Sequence, residues 1–402
     1  MACTSPEPVL IVGAGPAGLS AAIEASQHTS VVVLEANAEP GGSARWASAV
    51  TVVPSQRGQH PRLDPLKTEG IDWLTTLGVS FGPTAAPAPR GFQASQPRGG
   101  GPQVVAALVS EARSNGVELR TGCAVTSIRH DSVWTAITDK CGSFSAPRLV
   151  LATGSMLGDD AARRDWLGEE TPRLSPKTTA TTGLSLTAQL DVDVDVQDRG
   201  RVLWFDHISP VGTIGRTLVA PPSTVALSAK GLRIPGALRG WGPGEDGVAW
   251  AIVSGSEQSR TQLFDVDLGR LVPLSQHLDE GGGKLVADLA DMAEYTGISK
   301  QHLTKVLQRH TPRGLVPAPE GPHAVLQMVR APAKQLGGLS TDARGQVLDA
   351  HQQPIPGLFA AGELTGFHGM HSGADPIDST MVVGAVVTGR IAGKGATHPA
   401  SE

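Results

Sequence analysis

Residues 9–36 hold a glycine-rich turn between two apolar segments, and this feature constrains the fold more than any other in the chain. The apolar run Val9–Val12 is typical of a buried parallel strand, and GAGPAG follows it at residues 13–18, where a helix must begin. In such a turn the first glycine allows a tight bend, the second lets backbone approach a pyrophosphate, and the third lets the helix pack closely on the strand. Val31–Leu34 is expected to return as a second strand. The segment therefore predicts a dinucleotide-binding unit.

An acidic residue completes this unit. Glu35 follows Gly18 by 17 residues, close to the spacing at which a carboxylate meets ribose hydroxyls. The pyrophosphate would lie on the helix N-terminus, where free N–H groups and the helix dipole favour negative charge. An ordinary glycine-rich turn is the alternative, but strand, helix, second strand and acid follow each other in the order that nucleotide binding requires. From these residues alone the dinucleotide is either FAD or NAD.

Length and charge set the class of protein and the partners. A chain of 402 residues exceeds the usual single domain, so we expect two domains, each with its own core. The net charge is −5 and Lys and Arg form no cluster, so neither nucleic acid nor an anionic membrane is expected as a partner. No signal-peptide pattern and no apolar run of about 18 residues occurs, which favours a cytoplasmic protein.

The cysteines and the acidic segments predict no metal. Cys3, Cys123 and Cys141 are widely spaced and form no CxxC motif, so we expect three buried or inert thiols rather than a disulfide or a metal site. The alternation DVDVDV at residues 191–196 lacks calcium-loop spacing and is expected to be a solvated strand edge.

Further elements follow from hydrophobic periodicity and from Gly and Pro positions. Helices are predicted near residues 66–77, 104–114, 283–294, 300–310 and 379–394, and strands near residues 117–125, 134–138 and 148–151. Residues 157–325 differ in character, whereas site-like sequence returns at 334–338 and 356–366. We therefore expect residues 1–156 and 326–402 to form one nucleotide-binding domain, with residues 157–325 inserted as a substrate-binding cap.

Five segments resemble one family, the flavoprotein subunits of fumarate reductase and succinate dehydrogenase, with their relatives tricarballylate dehydrogenase and 3-ketosteroid dehydrogenase. In chain order they are GAGPAG with Glu35, EPGGSARWAS at 39–48, LATGSMLGDDAARRDWLG at 151–168, KQLGGLSTDARGQVLD at 334–349, and IPGLFAAGELTGFHG through VTGRIAG at 355–393. The resemblance implies FAD rather than NAD. It implies an α/β fold, in which a Rossmann-like FAD-binding domain is split in sequence by an inserted α+β capping domain. No histidine occupies GGSARW, so the FAD is expected to be non-covalent.

Carried over by position, the resemblance also implies the residues that hold FAD. Those expected on the AMP and pyrophosphate side are Gly13, Gly15, Pro16, Ala17, Gly18, Glu35 and Ala36, with Val125, Ala152, Thr153 and Gly154 flanking the adenosine. Those expected near the flavin, its ribityl chain and the pyrophosphate are Gly42, Ser43, Gly362, Glu363, Ser379, Thr380, Met381 and Val382. The last four would begin a helix whose N-terminal dipole stabilises negative charge on reduced flavin.

The substrate side departs from the family. Fumarate reductases hold substrate carboxylates with a histidine in HTMGG and an arginine in HGANRxGG, but this chain has KQLGG at 334–338 and HGMHS at 368–372. Steroid dehydrogenases rely on tyrosines, and Tyr295 is the only tyrosine in this sequence. Neither mechanism is expected to operate here unchanged.

Other side chains are therefore candidates for the chemistry. His368 and His371 could move a proton, because imidazole titrates near neutral pH, or could merely orient a loop. Lys334 could bind the substrate as a cation or contact a loop carbonyl, and Arg239 is the candidate proton donor. Trp46 and His207 are candidate substrate contacts, with a core role as the alternative for Trp46.

Together these features predict an FAD-dependent oxidoreductase acting on a small molecule. We expect a dehydrogenase or oxidase that desaturates a C–C or C–N bond next to a carbonyl or carboxylate. No CxxCH haem motif occurs, so electrons would pass to oxygen or to an external carrier. An ene-reductase, a monooxygenase and a catalytically degenerate flavin-binding protein are the alternatives.

Overall fold

The computed structural model describes residues 8–56, 61, 63–84, 90–168, 183–208, 216–219, 224–233, 248–265, 270–308, 322–367 and 380–398. The chain divides into two compact units. One comprises Met1–Gly168, Thr179–Val202 and Lys334–Glu402, and the other comprises Glu169–Thr178 and Leu203–Ala333. Residues 183–202, which the sequence analysis assigned to the inserted domain, thus belong to the first unit, and the domain bounds at 157 and 325 stay a prediction.

The strands in the described residues are β1 (Val9–Val12), β2 (Val31–Glu35), β3 (Thr51–Pro54), β4 (Phe81–Pro83), β5 (Phe92–Pro97), β6 (Glu118–Thr121), β7 (Val125–His130), β8 (Trp134–Thr138), β9 (Ser143–Ala146), β10 (Arg148–Leu151), β11 (Val196–Gln197), β12 (Val202–Ile208), β13 (Arg216–Val219), β14 (Val225–Ser228), β15 (Val248–Ser254), β16 (Gln262–Asp265), β17 (Arg270–Pro273), β18 (Gly283–Val286), β19 (His323–Gln335), β20 (Gly338–Leu339), β21 (Gln346–Leu348) and β22 (Pro354–Ala360).

The α-helices in the same residues are α1 (Pro16–Ser26), α2 (Trp73–Thr76), α3 (Gly100–Ser114), α4 (Asp160–Leu167), α5 (Gly183–Thr187), α6 (Leu274–Asp279), α7 (Leu289–Thr296), α8 (Lys300–Gln308) and α9 (Met381–Thr397). A π-helical segment, Leu66–Asp72, precedes α2. Short 3-10 helices lie at Gly42–Trp46, Met156–Gly158, Gly255–Arg260 and Gly362–Leu364.

A six-stranded sheet in the order β21-β22-β10-β1-β2-β6 organises the first unit. All neighbours from β22 to β6 are parallel, and β21 alone runs antiparallel at the edge. The central strands β1 and β2 are short and largely apolar, and the Val9–Val12 side chains are all buried, as expected for a parallel sheet covered on both faces. This is the Rossmann-like α/β arrangement that the sequence predicted.

Helices α1 and α9 pack backbone to backbone beside this sheet. A Cβ at Gly389 would lie 2.1 Å from the Ala17 carbonyl oxygen, and one at Gly393 would lie 2.4 Å from that of Ala21. Any larger side chain at either glycine would force the helices apart. The close approach holds the N-terminal turn of α1 against an element more than 300 residues away in sequence.

Three smaller sheets lie in the described part of the first unit, in the orders β3-β5-β4, β7-β8-β9 and β11-β20. A disulfide joins Cys123, just before β7, to Cys141, in the turn between β8 and β9, with 5.5 Å between the Cα atoms. The expectation of isolated thiols was wrong for this pair, because the antiparallel hairpin brings together cysteines 18 residues apart in sequence. Cys3 lies outside the described residues.

The second unit is built on an eight-stranded sheet in the order β14-β15-β19-β12-β13-β16-β17, with β18 paired to β19. The helix predicted at residues 283–294 was wrong in its first part: Gly283–Val286 is strand β18, antiparallel to β19. Helix α7 begins only at Leu289, because the Asp288 carboxylate accepts the N–H groups of Ala290 at 2.6 Å and Asp291 at 3.1 Å. Long-range strand pairing thus decided a segment whose local pattern indicated a helix.

Within the part of the chain that the structure describes, no helix has the length and hydropathy needed to cross a bilayer.

Candidate active site

The candidate site lies at the carboxyl edge of the six-stranded sheet, where β1, β10 and β22 end side by side. The turns that follow these strands hold three of the motifs singled out in the sequence: residues 13–18, 152–155 and 361–363. In open α/β sheets, ligands bind outside the carboxyl ends of strands where the strand order reverses, as it does around β1.

The glycines of the first turn differ in what surrounds them. Gly13 has a φ of +103°, and its N–H donates to the Leu34 carbonyl at 2.8 Å. A Cβ at Gly18 would lie 1.8 Å from the Gly13 carbonyl oxygen, so only glycine fits there. A Cβ at Gly15 would meet no protein atom within 4 Å. Gly15 is also the N-cap of α1 and supplies no side-chain cap, so the first N–H groups of the helix are left for another acceptor.

Glu35 is buried beside this turn. Its Oε2 accepts the Ala14 N–H at 2.8 Å, and its Oε1 accepts both the backbone N–H of Asn37 at 2.8 Å and its Nδ2 at 2.7 Å. A carboxylate has about four acceptor positions, so these bonds leave about one for a ribose hydroxyl. Glu35 therefore ties the glycine turn to the end of β2.

The segment predicted to lie by the flavin is hydrogen-bonded to the same turn. Gly41 donates its N–H to the Ala14 carbonyl at 2.8 Å, and a Cβ at Gly42 would lie 3.4 Å from Gly15 Cα. Ser43 is exposed and Trp46 is partly exposed. The Arg45 guanidinium lies 5.1 Å from the centre of the Trp46 ring. Part of the Trp46 ring is therefore covered by a cation from its own segment.

The second turn, after β10, is fixed by Thr153. Its Oγ1 accepts the Gly183 N–H at 2.5 Å, which links the turn to the start of α5. Gly154 has a φ of +82° and open space where a Cβ would be. Val125 is buried in a hydrophobic cluster that also includes Leu10 and Leu151.

The third turn, after β22, touches the N-terminus of α1. Gly362 has a φ of +76°, and a Cβ there would lie 2.9 Å from Ala17 Cβ. Its N–H donates to Thr388 Oγ1 at 2.9 Å, which anchors the turn to α9. Most of the predicted cofactor residues therefore lie around the N-terminal end of α1. The contacts that bring them together join Gly13, Gly15, Ala17 and Gly18 to residues 42, 152 and 362.

Glu363 is the ionisable group with the most altered environment in this cluster. Burial raises the pKa of its carboxyl above the ordinary value, and the Gln335 N–H, the Lys334 ammonium and the Ser155 hydroxyl offset part of that rise. The Gln335 N–H donates to Glu363 Oε1 at 2.7 Å. Lys334 thus lies close enough to Glu363 to lower the pKa of that carboxyl electrostatically.

Sequence reasoning missed three polar residues that fasten these turns: Ser155, Gln335 and Thr388. Gln335 is fully buried, and its side-chain amide bonds to the turn after β10. The available signal was a polar residue between Lys334 and the apolar Leu336-Gly337-Gly338 run, a position where a glutamine needs internal partners.

The remaining predicted residues lie elsewhere. Thr380 is buried as the N-cap of α9, and Met381 and Val382 are its first helical residues. His207 is on β12, in the second unit. The predictions for Arg239, His368, His371 and Ser379 fall outside the described residues.

The residues present fit a dinucleotide. Open space at Gly15, an uncapped helix N-terminus and the spare acceptor position of Glu35 match the needs of a pyrophosphate and a ribose. Among the residues that the structure describes, no group of three or more His, Cys, Asp or Glu could hold a metal ion.

Comparison with known proteins defines the class. A family model described as FAD binding domain matches residues 66–374, and one described as FAD dependent oxidoreductase matches residues 8–92. The first match covers more than half of the chain, so the protein belongs to the FAD binding domain family. It is an FAD-dependent oxidoreductase, and the resemblance noted in the sequence is confirmed.

Three relatives illustrate the range of this class. The chain is 24% identical over 457 residues to a probable fumarate reductase of Shewanella frigidimarina, covering 98% of this chain and 75% of that protein. It is 38% identical over 89 residues to a KsdD-like steroid dehydrogenase of Mycobacterium tuberculosis, covering 22% of this chain and 16% of that protein. Its fold is similar to the solved structure of a 3-ketosteroid delta1-dehydrogenase from Sterolibacterium denitrificans, with a TM-score of 0.75 and 14% identity over 97% of this chain and 99% of that one.

Proposed function

We propose that this protein is an FAD-dependent dehydrogenase or oxidase that desaturates a small organic substrate at a C–C or C–N bond next to a carbonyl or carboxylate. The observation that carries this proposal is the segment Lys334–Gly338, where the carboxylate-holding histidine of fumarate reductases is replaced by a lysine that interacts with Glu363. The local similarity to a steroid dehydrogenase also supports it.

FAD, when bound, accepts hydride at its N5 atom. We propose that the protein holds it non-covalently with the glycine turn, the turns after β10 and β22, and the start of α9. The proposed contacts are Gly13, Gly15, Pro16, Ala17, Gly18, Glu35, Ala36, Gly42, Ser43, Val125, Ala152, Thr153, Gly154, Gly362, Glu363, Ser379, Thr380, Met381 and Val382. Denaturation without proteolysis should release all of the FAD into solution.

The chain's own residues would bind and polarise the substrate. The Lys334 ammonium would attract a substrate carbonyl or carboxylate oxygen and stabilise negative charge that develops there. Its electrostatic effect on the buried Glu363 carboxyl supports a position of this lysine beside the turn after β22. On sequence grounds, His368, His371 or Arg239 would take a proton from one atom of the bond that is oxidised, while hydride leaves the other atom. The same group would return that proton in the reverse direction. Trp46 and His207 are proposed substrate contacts.

A second candidate is an ene-reductase, which runs the same two-electron chemistry in the opposite direction. The similarity to a probable fumarate reductase over almost the whole chain favours it. An external reductant would then supply the electrons.

The first experiment is anaerobic mixing of the purified yellow protein with carboxylates, cyclic ketones and amines while the flavin absorbance is followed. Oxidised flavin absorbs at about 450 nm. A dehydrogenase or oxidase loses this absorbance when it is mixed with one class of saturated substrate. Air restores it quickly in an oxidase, whereas a dehydrogenase needs an added carrier. A reductase instead keeps its colour until dithionite is added, and an alkene then restores it.

A lysine variant links the result to the site. Lys334→Met should weaken apparent substrate binding at least tenfold while FAD remains bound, because it removes the charge and keeps the length of the side chain. Lys140→Met is the matched control, since Lys140 is exposed in the same unit and its Nζ lies 3.9 Å from the Asp139 carboxylate at the surface. A protein that holds FAD but reacts in neither direction would contradict both enzyme proposals and support a flavin-binding role.

A further inference from the structure

Gln335 has an unusual position for a glutamine, because its side chain is fully buried at the end of β19, next to the carboxyl edge of the sheet. Its Oε1 accepts the Met156 N–H at 2.6 Å and the Ser155 hydroxyl at 3.3 Å. Its Nε2 donates to the Gly337 carbonyl at 2.6 Å. Its backbone N–H donates to Glu363 Oε1 at 2.7 Å. Both ends of the amide and the backbone of this residue are therefore bonded within the protein.

These bonds connect three separate segments of the candidate site. Ser155 and Met156 belong to the turn after β10, Gly337 to the KQLGG segment, and Glu363 to the turn after β22. The Ser155 hydroxyl also lowers the pKa of the Glu363 carboxyl by hydrogen bonding. Ser155, Gln335 and Glu363 therefore interact with one another. A buried network of this kind is valuable only when every member is satisfied, because each lost partner leaves a buried polar group unpaired.

We propose that Gln335 is a positioning residue for FAD, which sets the turn after β10 and the Glu363 carboxyl in the arrangement that the cofactor requires. The donor and the acceptor of its amide are both needed: the acceptor holds the Met156 N–H, and the donor holds the Gly337 carbonyl. A side chain that filled only the space would leave both groups without partners.

This role concerns the cofactor site and does not depend on which substrate is used or in which direction electrons flow. In this protein the second residue of the KQLGG segment, Gln335, is committed to bonds within the protein.

The test compares two variants by their dissociation constants for FAD, measured by fluorescence on the deflavinated full-length chain. Gln335→Met keeps the size and removes both hydrogen-bonding ends, so FAD should bind about tenfold to a hundredfold more weakly. Gln335→Glu can replace glutamine only when it is protonated, since the neutral carboxyl accepts with one oxygen and donates with the other. Its affinity relative to the unmodified protein should therefore be near normal at acidic pH and fall at alkaline pH.

The charged groups that the contacts place next to position 335 are Glu363 and Lys334, and both are present in every variant. Measuring the unmodified protein at each pH removes their own titration from the comparison. Gln346→Met is the matched control, because Gln346 makes the same kind of bond, from Nε2 to the Ile355 carbonyl at 2.9 Å, within the β21–β22 pair.

The two variants give separate decisions. Normal FAD affinity in Gln335→Met, or a loss no larger than in Gln346→Met, overturns the proposal. If Gln335→Met does not fold, the decision rests on the FAD affinity of Gln335→Glu divided by that of the unmodified protein at the same pH. A ratio that rises toward one at acidic pH supports the proposal. A ratio that is constant from pH 6 to about pH 9 overturns it. Loss of turnover with normal FAD affinity would count against the function proposed above, not in favour of this role.

Discussion

At the scale of single residues, two glycines of the same turn are needed for different reasons: Gly15 for FAD binding and Gly18 for folding. Gly15→Ala should leave the fold of the FAD-free protein intact, because the new Cβ meets no protein atom within 4 Å. The same Cβ would enter the space in front of the α1 N-terminus, so FAD affinity should fall at least a hundredfold. Circular dichroism melting and FAD titration of the same sample measure the two effects.

Gly18→Ala is the contrasting variant. Its Cβ would lie 1.8 Å from the Gly13 carbonyl oxygen, a distance that forces backbone to move. We expect a large loss of melting temperature even without FAD. If both substitutions affect folding equally, the open space at Gly15 does not have the role assigned to it.

Glu363 should make stability depend on pH. Its folded-state pKa is raised above the ordinary value, mainly by burial, so the folded chain keeps a proton that the unfolded chain loses as the pH rises. The contribution of Glu363 to the free energy of unfolding is fully present below the unfolded-state pKa. It is lost as the pH increases through the folded-state pKa. Glu363→Gln removes this loss, so its advantage in free energy of unfolding over the FAD-free parent should grow from pH 4.5 toward pH 8.

Urea unfolding of the two FAD-free proteins at a series of pH values measures that difference. A difference that does not change with pH would show that Glu363 titrates alike in the folded and unfolded chains.

The same residues mark what sequence could and could not predict at this scale. Gly13, Gly15, Gly18 and Glu35 were recognisable because strand and helix fix their spacing locally. Gln335 was not, because its partners lie about 180 residues earlier and 28 residues later, and only the fold brings them together.

At the scale of elements, a buried ion pair joins α1 to α9. Arg390 bonds to Glu24, whose side chain is 6% exposed, and its guanidinium also lies 4.6 Å from the Trp73 ring. Arg390→Met should destabilise the protein by about 3 kcal/mol or more, because it leaves the Glu24 carboxylate buried without its partner. Chemical denaturation measures this loss.

The second partner of Arg390 provides the control. Glu69 is 48% exposed and lies 2.7 Å from Arg390, so Glu69→Gln should cost less than about 1 kcal/mol. Equal losses from Glu69→Gln and Arg390→Met would contradict the importance given to the buried pair.

The disulfide of the β7–β9 hairpins should be detectable and stabilising. Unfolded protein without reductant should expose one reactive thiol, and three after reduction, because Cys123 and Cys141 are joined. Replacing both with serine should lower the free energy of unfolding by about 3 kcal/mol, since the bond closes a short loop of the unfolded chain. Three thiols before reduction would refute the pair.

The disulfide lies next to the candidate cofactor site. The backbone N–H of Cys123 donates to the Glu35 carbonyl at 2.9 Å, which links the start of the hairpin to the end of β2. A serine pair that folds but binds FAD more weakly would be consistent with that connection.

Element predictions succeeded where local pattern and tertiary pairing agree. Strands β1, β8 and β10 have the predicted bounds, because each is a short segment rich in apolar and β-branched residues. The segment predicted as one strand at 117–125 is instead β6 and the start of β7, separated by a left-handed Gly122 with a φ of +69°. At 283–286, pairing with a strand some 40 residues later outweighed a local helical pattern, and this partner could not be read from the segment itself.

At the scale of the whole molecule, FAD should stabilise the fold by mass action. With free FAD at 100 times its dissociation constant, the free energy of unfolding should increase by about 2.7 kcal/mol. Gly15→Ala should show almost no increase at the same FAD concentration. A melting temperature of the parent that does not respond to FAD would mean that the isolated chain does not form the site.

The overall architecture was predictable in outline because glycine turns and site-like segments occur at both ends of the chain. The inserted region was not, since its described strands, β12 to β19, form a sheet that depends on non-local antiparallel pairs such as β15–β19 and β13–β16, with few sequence signals of register.

The packing of α9 on α1 has a consequence for biosynthesis. The glycines that let the two backbones meet are Gly389 and Gly393, whereas α1 ends at Ser26. A ribosome adding about 5–20 residues per second needs tens of seconds to reach α9 after it has made α1. Throughout that interval the nascent chain has the glycine turn but not the helix that packs on α1, so the flavin can be captured durably only after α9 has been made.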